Sequence, residues 1–253
     1  MYVSPKQQRH SMHFINLAGY KFVSLDALDD LKTTLDRRCR ELDLKGTILL
    51  SFEGINIVLA GNEQAITEFQ ALIRADARLA DLRFKRSESA FQPFDRMLVK
   101  IKKEIITLRV SGLDPAKERA PTVAPMELKR WLDEGRDLVL LDTRNAFEVE
   151  AGTFDNALDL RLGAFGQFAK AVDELDPSLK DKTIVAFCTG GIRCEKAAPV
   201  LIGKGFRNVF QLDGGILQYF EECGDAHFKG NCFVFDQRVA LDGNLEPAVA
   251  NRT

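Results

Sequence analysis

The stretch "TIVAFCTGGIRCEKAAPVL", residues 183 to 201, has the pattern of a buried strand, a short loop and a helix. Its apolar run ends at Cys188, and a helical pattern begins near Cys194. Ligands of parallel sheets bind beyond the carboxyl ends of the strands. The sequence therefore predicts an α/β domain that carries a functional cysteine at the end of a strand.

The segments on either side of this stretch alternate between short apolar strands and helices. Strands are predicted at 138–142 and 208–212, and helices at 126–135, 194–205 and 214–224, with one more after 162–165. Such alternation is typical of a parallel sheet covered by helices on both faces.

The N-terminal part has a different order of elements. Strands are predicted at 12–23, 46–52, 55–61 and near 82–87, with helices beginning near Ser24 or Asp26 and covering 62–76. The order β-α-β-β-α-β predicts a ferredoxin-like (acylphosphatase-like) α+β domain. Such a fold alone assigns no function.

Proline and charge are concentrated at residues 111–125, where the apolar periodicity fades, so this segment is a predicted linker. The predicted organisation is an N-terminal domain at 1–110, a linker at 111–124, an α/β domain at 125–224 and a C-terminal tail at 225–253.

The composition is that of an ordinary globular protein, with 45% hydrophobic and 28% charged residues. No apolar run approaches the roughly 18 to 20 residues of a membrane span, and the first residues lack the apolar core of a signal peptide. Five scattered cysteines do not form a disulfide framework. We therefore expect a cytoplasmic protein with free thiols and no membrane partner, and the oligomeric state stays open.

The loop after Cys188 has the features of an anion cradle. Its glycines can turn the backbone and aim N–H groups inward, and the helix that follows adds positive potential. A thiol in such a setting ionises readily, so Cys188 is the predicted nucleophile. The cradle comprises Thr189, Gly190, Gly191, Ile192 and Arg193, with Arg193 closing the loop. Cys194 begins the helix and is more typical of a packed residue than of a second reactive thiol.

This strand, loop and helix unit resembles the active loop of rhodanese domains. Further matches to the rhodanese pattern are Asp142, Arg144, Glu148, Gly152, Phe154, Ala157, Gly214 and Gly215. From Cys188 to Arg193 the loop has six residues, one fewer than in the dual-specificity phosphatases that share the fold. The smaller ring favours a sulfur atom over a phosphate, and hence a persulfide on Cys188. Asp142 and Arg144 are expected to support the loop through buried pairing.

A second resemblance covers nearly the whole chain. The stretches "GTILLSFEGIN", "DTRNAFEVEAGTF", "CTGGIRCEKAA" and "CFVFDQRVALD" resemble, in this order, the UPF0176 group of tRNA uridine hydroxylases. The resemblance implies oxygen-dependent formation of 5-hydroxyuridine at the wobble position of tRNA, with Cys188 as the catalytic residue and molecular oxygen as co-substrate. Many members continue into a cysteine-rich extension, and Gly is more usual after "EGIN", where this chain has Ile57.

Two other classes of function stay open. A sulfurtransferase would carry sulfane sulfur on Cys188, as the loop size favours. A non-catalytic binding module would not need both Cys188 and Arg193, and their presence argues against it.

Metal and cofactor sites have little support in the sequence. A non-haem iron site requires two histidines and a carboxylate, and the only histidines are His10, His13 and His227, near the two ends. No G-x-G-x-x-G motif marks a nucleotide cofactor. We therefore predict no resident metal or cofactor. Cys232 lies among aromatic residues and is expected to pack in a core.

One segment could bind RNA although the net charge is −2. Residues 83–103 contain seven Lys or Arg against two acidic residues. The candidate tRNA-binding residues are Arg83, Lys85, Arg86, Lys100, Lys102 and Lys103. The alternative is an ordinary solvated strand face.

Overall fold

The structure, a computed structural model, describes residues 13–248. Two five-stranded sheets and two small two-stranded sheets make up its β-structure in this range. The strands are β1 (Phe14–Phe22), β2 (Lys45–Ser51), β3 (Gly54–Gly61), β4 (Phe84–Ser89), β5 (Met97–Ile101), β6 (Thr122–Val123), β7 (Leu138–Asp142), β8 (Gly152–Phe154), β9 (Leu158–Asp159), β10 (Thr183–Phe187), β11 (Asn208–Leu212), β12 (Phe228–Gly230), β13 (Cys232–Phe233) and β14 (Ala240–Leu241). The helices are α1 (Leu28–Glu41), α2 (Glu63–Arg74), α3 (Pro125–Asp133), α4 (Ala146–Ala151), α5 (Phe168–Asp173), α6 (Cys194–Gly203) and α7 (Gly215–Cys223).

The N-terminal sheet has the order β4-β1-β3-β2-β5. Its first four strands pair antiparallel in the ferredoxin-like order, which confirms the predicted fold class. Apolar residues of α1 and α2, among them Leu35 and Phe69, pack with the strands in one core. The fifth strand, β5, was not predicted; it pairs parallel to β2 at the edge of the sheet.

Helix α1 begins at Leu28, later than the predicted start near Ser24 or Asp26. The backbone N–H groups of Val23 and Leu25 donate instead to the carbonyls of the β2–β3 turn, at 3.0 and 3.1 Å. Ala27 then lies in the left-handed region, with φ of 47°, which precludes a helical turn through it. The chain therefore extends the β1 segment before the helix can begin.

The second sheet has the order β6-β11-β10-β7-β9, and all its strand pairs are parallel. This confirms the predicted α/β class and places β10 at its centre. Strand β6 lies inside the predicted linker, so the last residues of 111–124 belong to the sheet. The other elements that were not predicted, including α4, β8 and β9, have six residues or fewer and give little periodic signal.

The tail that follows α7 returns along both halves of the protein. Strand β12 pairs antiparallel with β8, and β13 pairs with β14. Farther on, Arg238 donates to the Ser87 hydroxyl at 2.8 Å and Gln237 donates to Asp95 at 2.7 Å. The tail therefore bridges the α/β part and the N-terminal sheet. Within residues 13–248, no helix has the length and apolar character to cross a membrane.

Candidate active site at the domain junction

The Cys188 side chain lies at the end of β10, fully buried. Its Sγ accepts the backbone N–H of Gly191 at 3.1 Å, so the loop curls back over the sulfur. The carbonyls of Cys188 and Thr189 accept the N–H groups of Ile216 and Leu217 at 2.9 and 3.0 Å. These bonds fix the loop to the first turn of α7.

Two glycines allow this close packing. A Cβ on Gly215, where φ is +67°, would lie 2.4 Å from the Cys188 carbonyl oxygen. A Cβ on Gly191, where φ is +99°, would lie 2.8 Å from the Tyr20 hydroxyl of the N-terminal sheet. Both the left-handed backbone and the lack of space require glycine here.

Arg193 closes the loop through a bidentate ion pair with Glu148. Its Nη1 and Nη2 donate to the two carboxylate oxygens at 2.6 and 2.7 Å, and both side chains are buried. Glu148 also accepts the backbone N–H of Asn145 at 3.1 Å, within the capping box of α4. The unpredicted helix α4 therefore supplies the carboxylate that orients Arg193 and balances its charge.

The Asp142–Arg144 pair lies at the end of the neighbouring strand, β7. Arg144 Nη2 donates to Asp142 at 2.6 Å and to the Gly152 carbonyl at 2.6 Å, and both side chains have no exposure. Thr153 donates to the same carboxylate at 2.7 Å. The structure thus brings Asp142 and Arg144 together as a buried pair that ties β7 to β8, in keeping with a supporting role.

The loop favours the ionised form of Cys188 over that of Cys194. Burial alone would raise the pKa of Cys188. The hydrogen bond from Cys194, the charge of Arg193 and the N–H groups of Arg193 and Gly191 outweigh burial and lower this pKa to about 5. Burial and the adjacent thiolate raise the pKa of Cys194. Cys188 is therefore the thiolate of the pair, and Cys194 keeps its proton.

Residues of the N-terminal sheet cover this loop. Tyr20, which lies against Gly191, donates to Glu195 at 3.4 Å, and burial raises its pKa, so it stays neutral. Lys196, only 3% exposed, donates to Glu53 at 2.9 Å and to Glu104 at 2.7 Å. Its third acceptor is the Ile106 carbonyl at 2.9 Å. The nucleophile candidate is thus enclosed at a junction between the two halves of the chain.

The candidate tRNA-binding residues do not form one surface. Lys85 and Arg86 lie on β4, whereas Lys100 lies on β5, at the opposite edge of the five-stranded sheet. At about 4.8 Å between neighbouring strands, the two edges are roughly 19 Å apart. Arg83 precedes β4, and Lys102 and Lys103 follow β5. Residues 83–103 are contiguous in the sequence, but the chain crosses the sheet between β4 and β5, so the two groups of cations lie at opposite edges. Their role in tRNA binding stays a prediction.

Lys85 and Arg86 also point in opposite directions. Arg86 is exposed and pairs with Glu63 at 2.6 Å, whereas Lys85 Nζ donates to the Gly214 carbonyl in the junction. Lys85 is therefore not free for a phosphate on the outer surface.

Several junction residues were not found by sequence reasoning. Glu53 lies in the "EGIN" stretch, and Lys196 lies in "CEKAA", so both belong to stretches that carried the family resemblance. Their contact could not be deduced from one sequence because 143 residues separate them. Cys232 is buried in an apolar cluster, and burial raises its pKa to about 12, as suits a packed thiol.

Within residues 13–248, no group of three or more His, Cys, Asp or Glu side chains could hold a metal ion. His227 contacts Asp133 at 2.7 Å, and His10 lies outside the described residues.

Known protein families match two parts of the chain. A model of the UPF0176 acylphosphatase-like domain matches residues 14–105, and a model of the rhodanese-like domain matches residues 124–222. The chain is 53% identical over 242 residues to a tRNA uridine(34) hydroxylase of Cupriavidus metallidurans, covering 94% of this chain and 86% of that protein. It is 54% identical over 241 residues to one from Bordetella petrii, covering 93% and 96%.

Similarity to solved structures is weaker. The rhodanese-like domain of the Alr3790 protein from Anabaena sp. is 23% identical, with a TM-score of 0.38, over 44% of this chain and 80% of that one.

Proposed function

The chain belongs to the family of tRNA uridine(34) hydroxylases, and from this premise we propose that it forms 5-hydroxyuridine at position 34 of tRNA in the cytoplasm, with molecular oxygen as co-substrate. The observation that carries the proposal is the Cys188 loop, which holds a thiolate on a chain that is similar to these hydroxylases over nearly its full length.

Cys188 supplies the nucleophile. Its thiolate can add to C6 of the uracil ring, which places negative charge on the ring and makes C5 reactive towards oxygen. Alternatively, it can carry an outer sulfur atom, taken from a sulfane donor, that is then oxidised. With molecular oxygen as oxidant, either route takes two electrons from an external reductant and releases the second oxygen atom as water. Both routes need a sulfur anion at neutral pH. The Gly191 N–H, Arg193 and the start of α6 supply that stabilisation.

The other residues of the site support Cys188. Glu148 holds Arg193 in one orientation by its two hydrogen bonds, and the Asp142–Arg144 pair fixes the end of the neighbouring strand. Gly190 and Ile192 complete the turn between Cys188 and α6. Each of these residues positions the sulfur and is not expected to contact the base.

Access to the thiolate requires a rearrangement. Nucleobases that are modified chemically leave their stack and enter a pocket, and position 34 lies in the unpaired anticodon loop, which favours this step. Cys188 has no exposure, so the N-terminal sheet must move away from the loop to admit the base. The junction around Lys196 and Tyr20 is held by polar contacts, and contacts of that kind permit relative domain motion.

A sulfurtransferase activity is the second candidate. The six-residue loop, with the Gly191 N–H aimed at Sγ at 3.1 Å, could hold an outer sulfur atom on Cys188. Such a protein would transfer sulfane sulfur from thiosulfate to an acceptor.

One experiment distinguishes the two activities. Nucleosides of tRNA are analysed by mass spectrometry in cells that lack the gene and carry either the wild-type chain or Cys188→Ala. We expect 5-hydroxyuridine derivatives to return only with the wild type. If the nucleosides are unchanged by deletion while the purified protein transfers sulfur from thiosulfate to cyanide, the hydroxylase proposal is refuted in favour of the second.

A further inference from the structure

Lys85 occupies an unusual position for a lysine on an edge strand. Side chains alternate between the two faces of a strand, and its neighbour Arg86 is exposed and pairs with Glu63. Lys85 points the other way, into the domain junction, where Nζ donates to the carbonyl of Gly214. The N-terminal sheet thereby inserts an ammonium group into the α/β half.

That ammonium lies close to the active loop. A Cβ on Gly214 would be 2.6 Å from Lys85 Nζ, and a Cβ on the next residue, Gly215, would be 2.4 Å from the Cys188 carbonyl oxygen. The N–H of Ile216 donates to the same carbonyl at 2.9 Å. The Gly214–Gly215 turn thus contacts the Lys85 ammonium on one side and the Cys188 backbone on the other.

The charge of Lys85 lacks a close partner. Within residues 13–248, no carboxylate oxygen comes within 4.0 Å of its Nζ, the limit for an ion pair. Its charged and titratable surroundings are Cys188, Asp213, Glu221 and Cys232. A partly buried ammonium without a paired carboxylate is costly, and desolvation lowers its pKa to about 8, so it stays mostly protonated at neutral pH.

Arg193 is the charged group whose cation lowers the pKa of Cys188. Its charge is shared with Glu148 through a bidentate pair. Cys194 and Tyr20 both have raised pKa values and are neutral. A further ammonium beside the loop would therefore add to the stabilisation that Arg193 and the backbone N–H groups give to the anionic sulfur.

We propose that Lys85 is a positioning residue of the active site, whose ammonium stabilises the Cys188 thiolate across the Gly214–Gly215 turn. The N-terminal domain then has a chemical role, because it completes the electrostatics of a loop that belongs to the other domain. The proposal rests on one part of the proposed function, the assignment of Cys188 as the thiolate.

The direct test is a titration of the Cys188 thiolate by its ultraviolet absorbance, with each protein measured against the same protein carrying Cys188→Ser. We expect Lys85→Met to raise the midpoint by about one pH unit, a tenfold fall in the thiolate-to-thiol ratio. Lys85→Arg keeps the charge and should keep the midpoint low. Arg86→Met, on the outer face of the same strand, is the matched control and should not move it. An unchanged midpoint in Lys85→Met would overturn the proposal.

A reciprocal measurement leaves Lys85 in place, so it does not depend on how the Lys85 variants fold. Electrostatic coupling acts equally in both directions. Cys188→Ser should therefore lower the pKa of Lys85 and speed its acetylation relative to that of the exposed Lys100, measured by peptide mass spectrometry at one pH. An unchanged ratio would refute the coupling. Neither measurement uses tRNA. If the wild-type protein had no hydroxylase activity, the proposed function would be refuted, but the two measurements would still test whether Lys85 stabilises the Cys188 thiolate.

Discussion

Replacing Lys196 with methionine tests how strongly the two halves of the chain are joined. The substitution keeps a long apolar stem and removes an ammonium that makes three hydrogen bonds of 2.7 to 2.9 Å. Two of the acceptors are the carboxylates of Glu53 and Glu104, on the N-terminal side of the junction.

The expected loss in the free energy of unfolding follows from the burial of Lys196. Hydrogen bonds to charged groups contribute about 1.5 to 3 kcal/mol each, and removing one partner of a buried ion pair costs about 3 to 5 kcal/mol. Lys196 is 3% exposed, but Glu53 and Glu104 are 21% and 22% exposed, so water recovers part of the loss. We therefore expect Lys196→Met to lower the free energy of unfolding by about 3 kcal/mol. For a chain of this size that corresponds to a fall of roughly 6 to 12 °C in Tm.

The loss should also depend on pH. Burial raises the pKa of Glu104, but hydrogen bonds from Lys196 and from the N–H groups of Leu108 and Arg109 bring it below its ordinary value. A carboxylate with a lowered pKa in the folded state stabilises the fold fully above its ordinary pKa, about 4.3, and loses this contribution as the pH falls through the folded value. The difference between wild type and Lys196→Met should therefore shrink in acid.

The assay is thermal unfolding followed by calorimetry and circular dichroism. Lys204→Met is the matched control, because Lys204 directly follows the same helix and its ion pair with Asp173 is more exposed, with side chains 27% and 62% exposed; ion pairs at the surface are worth about 1 kcal/mol or less. If the free energy of unfolding of Lys196→Met at neutral pH lies within about 1 kcal/mol of that of the control, the claim that Lys196, Glu53 and Glu104 hold the two domains together is refuted.

Three further predictions follow from the site. Cys188→Ala should abolish hydroxylation and Cys194→Ala should retain a measurable part, by nucleoside mass spectrometry; equal and complete loss in both would mean that the thiols act as a pair. Because the pKa of Cys188 is lowered to about 5, its stabilising contribution is complete above the ordinary thiol pKa of about 8.5 and is lost as the pH falls through about 5. The urea midpoint of wild type minus that of Cys188→Ala should rise between these pH values, and a flat difference contradicts a native thiolate. Arg86→Ala and Lys100→Ala, at opposite edges of the sheet, are compared for tRNA binding across a salt series, and loss of a phosphate contact should flatten the log–log slope by somewhat less than one unit; an unchanged slope and affinity in both variants would contradict phosphate binding by these residues.

The sequence predicted the parts of the fold that rest on local patterns. Apolar alternation marked β1 to β4, and the end of the apolar run at Cys188, followed by glycines, placed this cysteine at the end of a strand before a loop and a helix. Strand β5 escaped because its apolar residues are interleaved with a basic segment. Its pairing with β2 is also nonlocal, about 50 residues away along the chain.

The site at the junction could not be predicted in the same way. Alternation along β4 separates Lys85 from Arg86, but it does not say which face meets a second domain. Lys196 reads as an exposed helix lysine until Glu53 and Glu104, which are 143 and 92 residues away, are placed beside it. Helix α4 has only six residues, too few for a periodic signal, although its Glu148 holds Arg193.

Because Cys188 is completely buried, the rate at which its sulfur can react is limited by how often the junction opens. A reagent that must wait for the N-terminal sheet to move cannot react with the sulfur more often than the junction opens. As its concentration rises, the rate of modification would reach a plateau equal to the opening frequency, and reagents of very different intrinsic reactivity would share that plateau. Catalytic turnover would have the same ceiling. The contacts of Tyr20, Lys85 and Lys196 would then determine how fast the enzyme works as well as how stable it is.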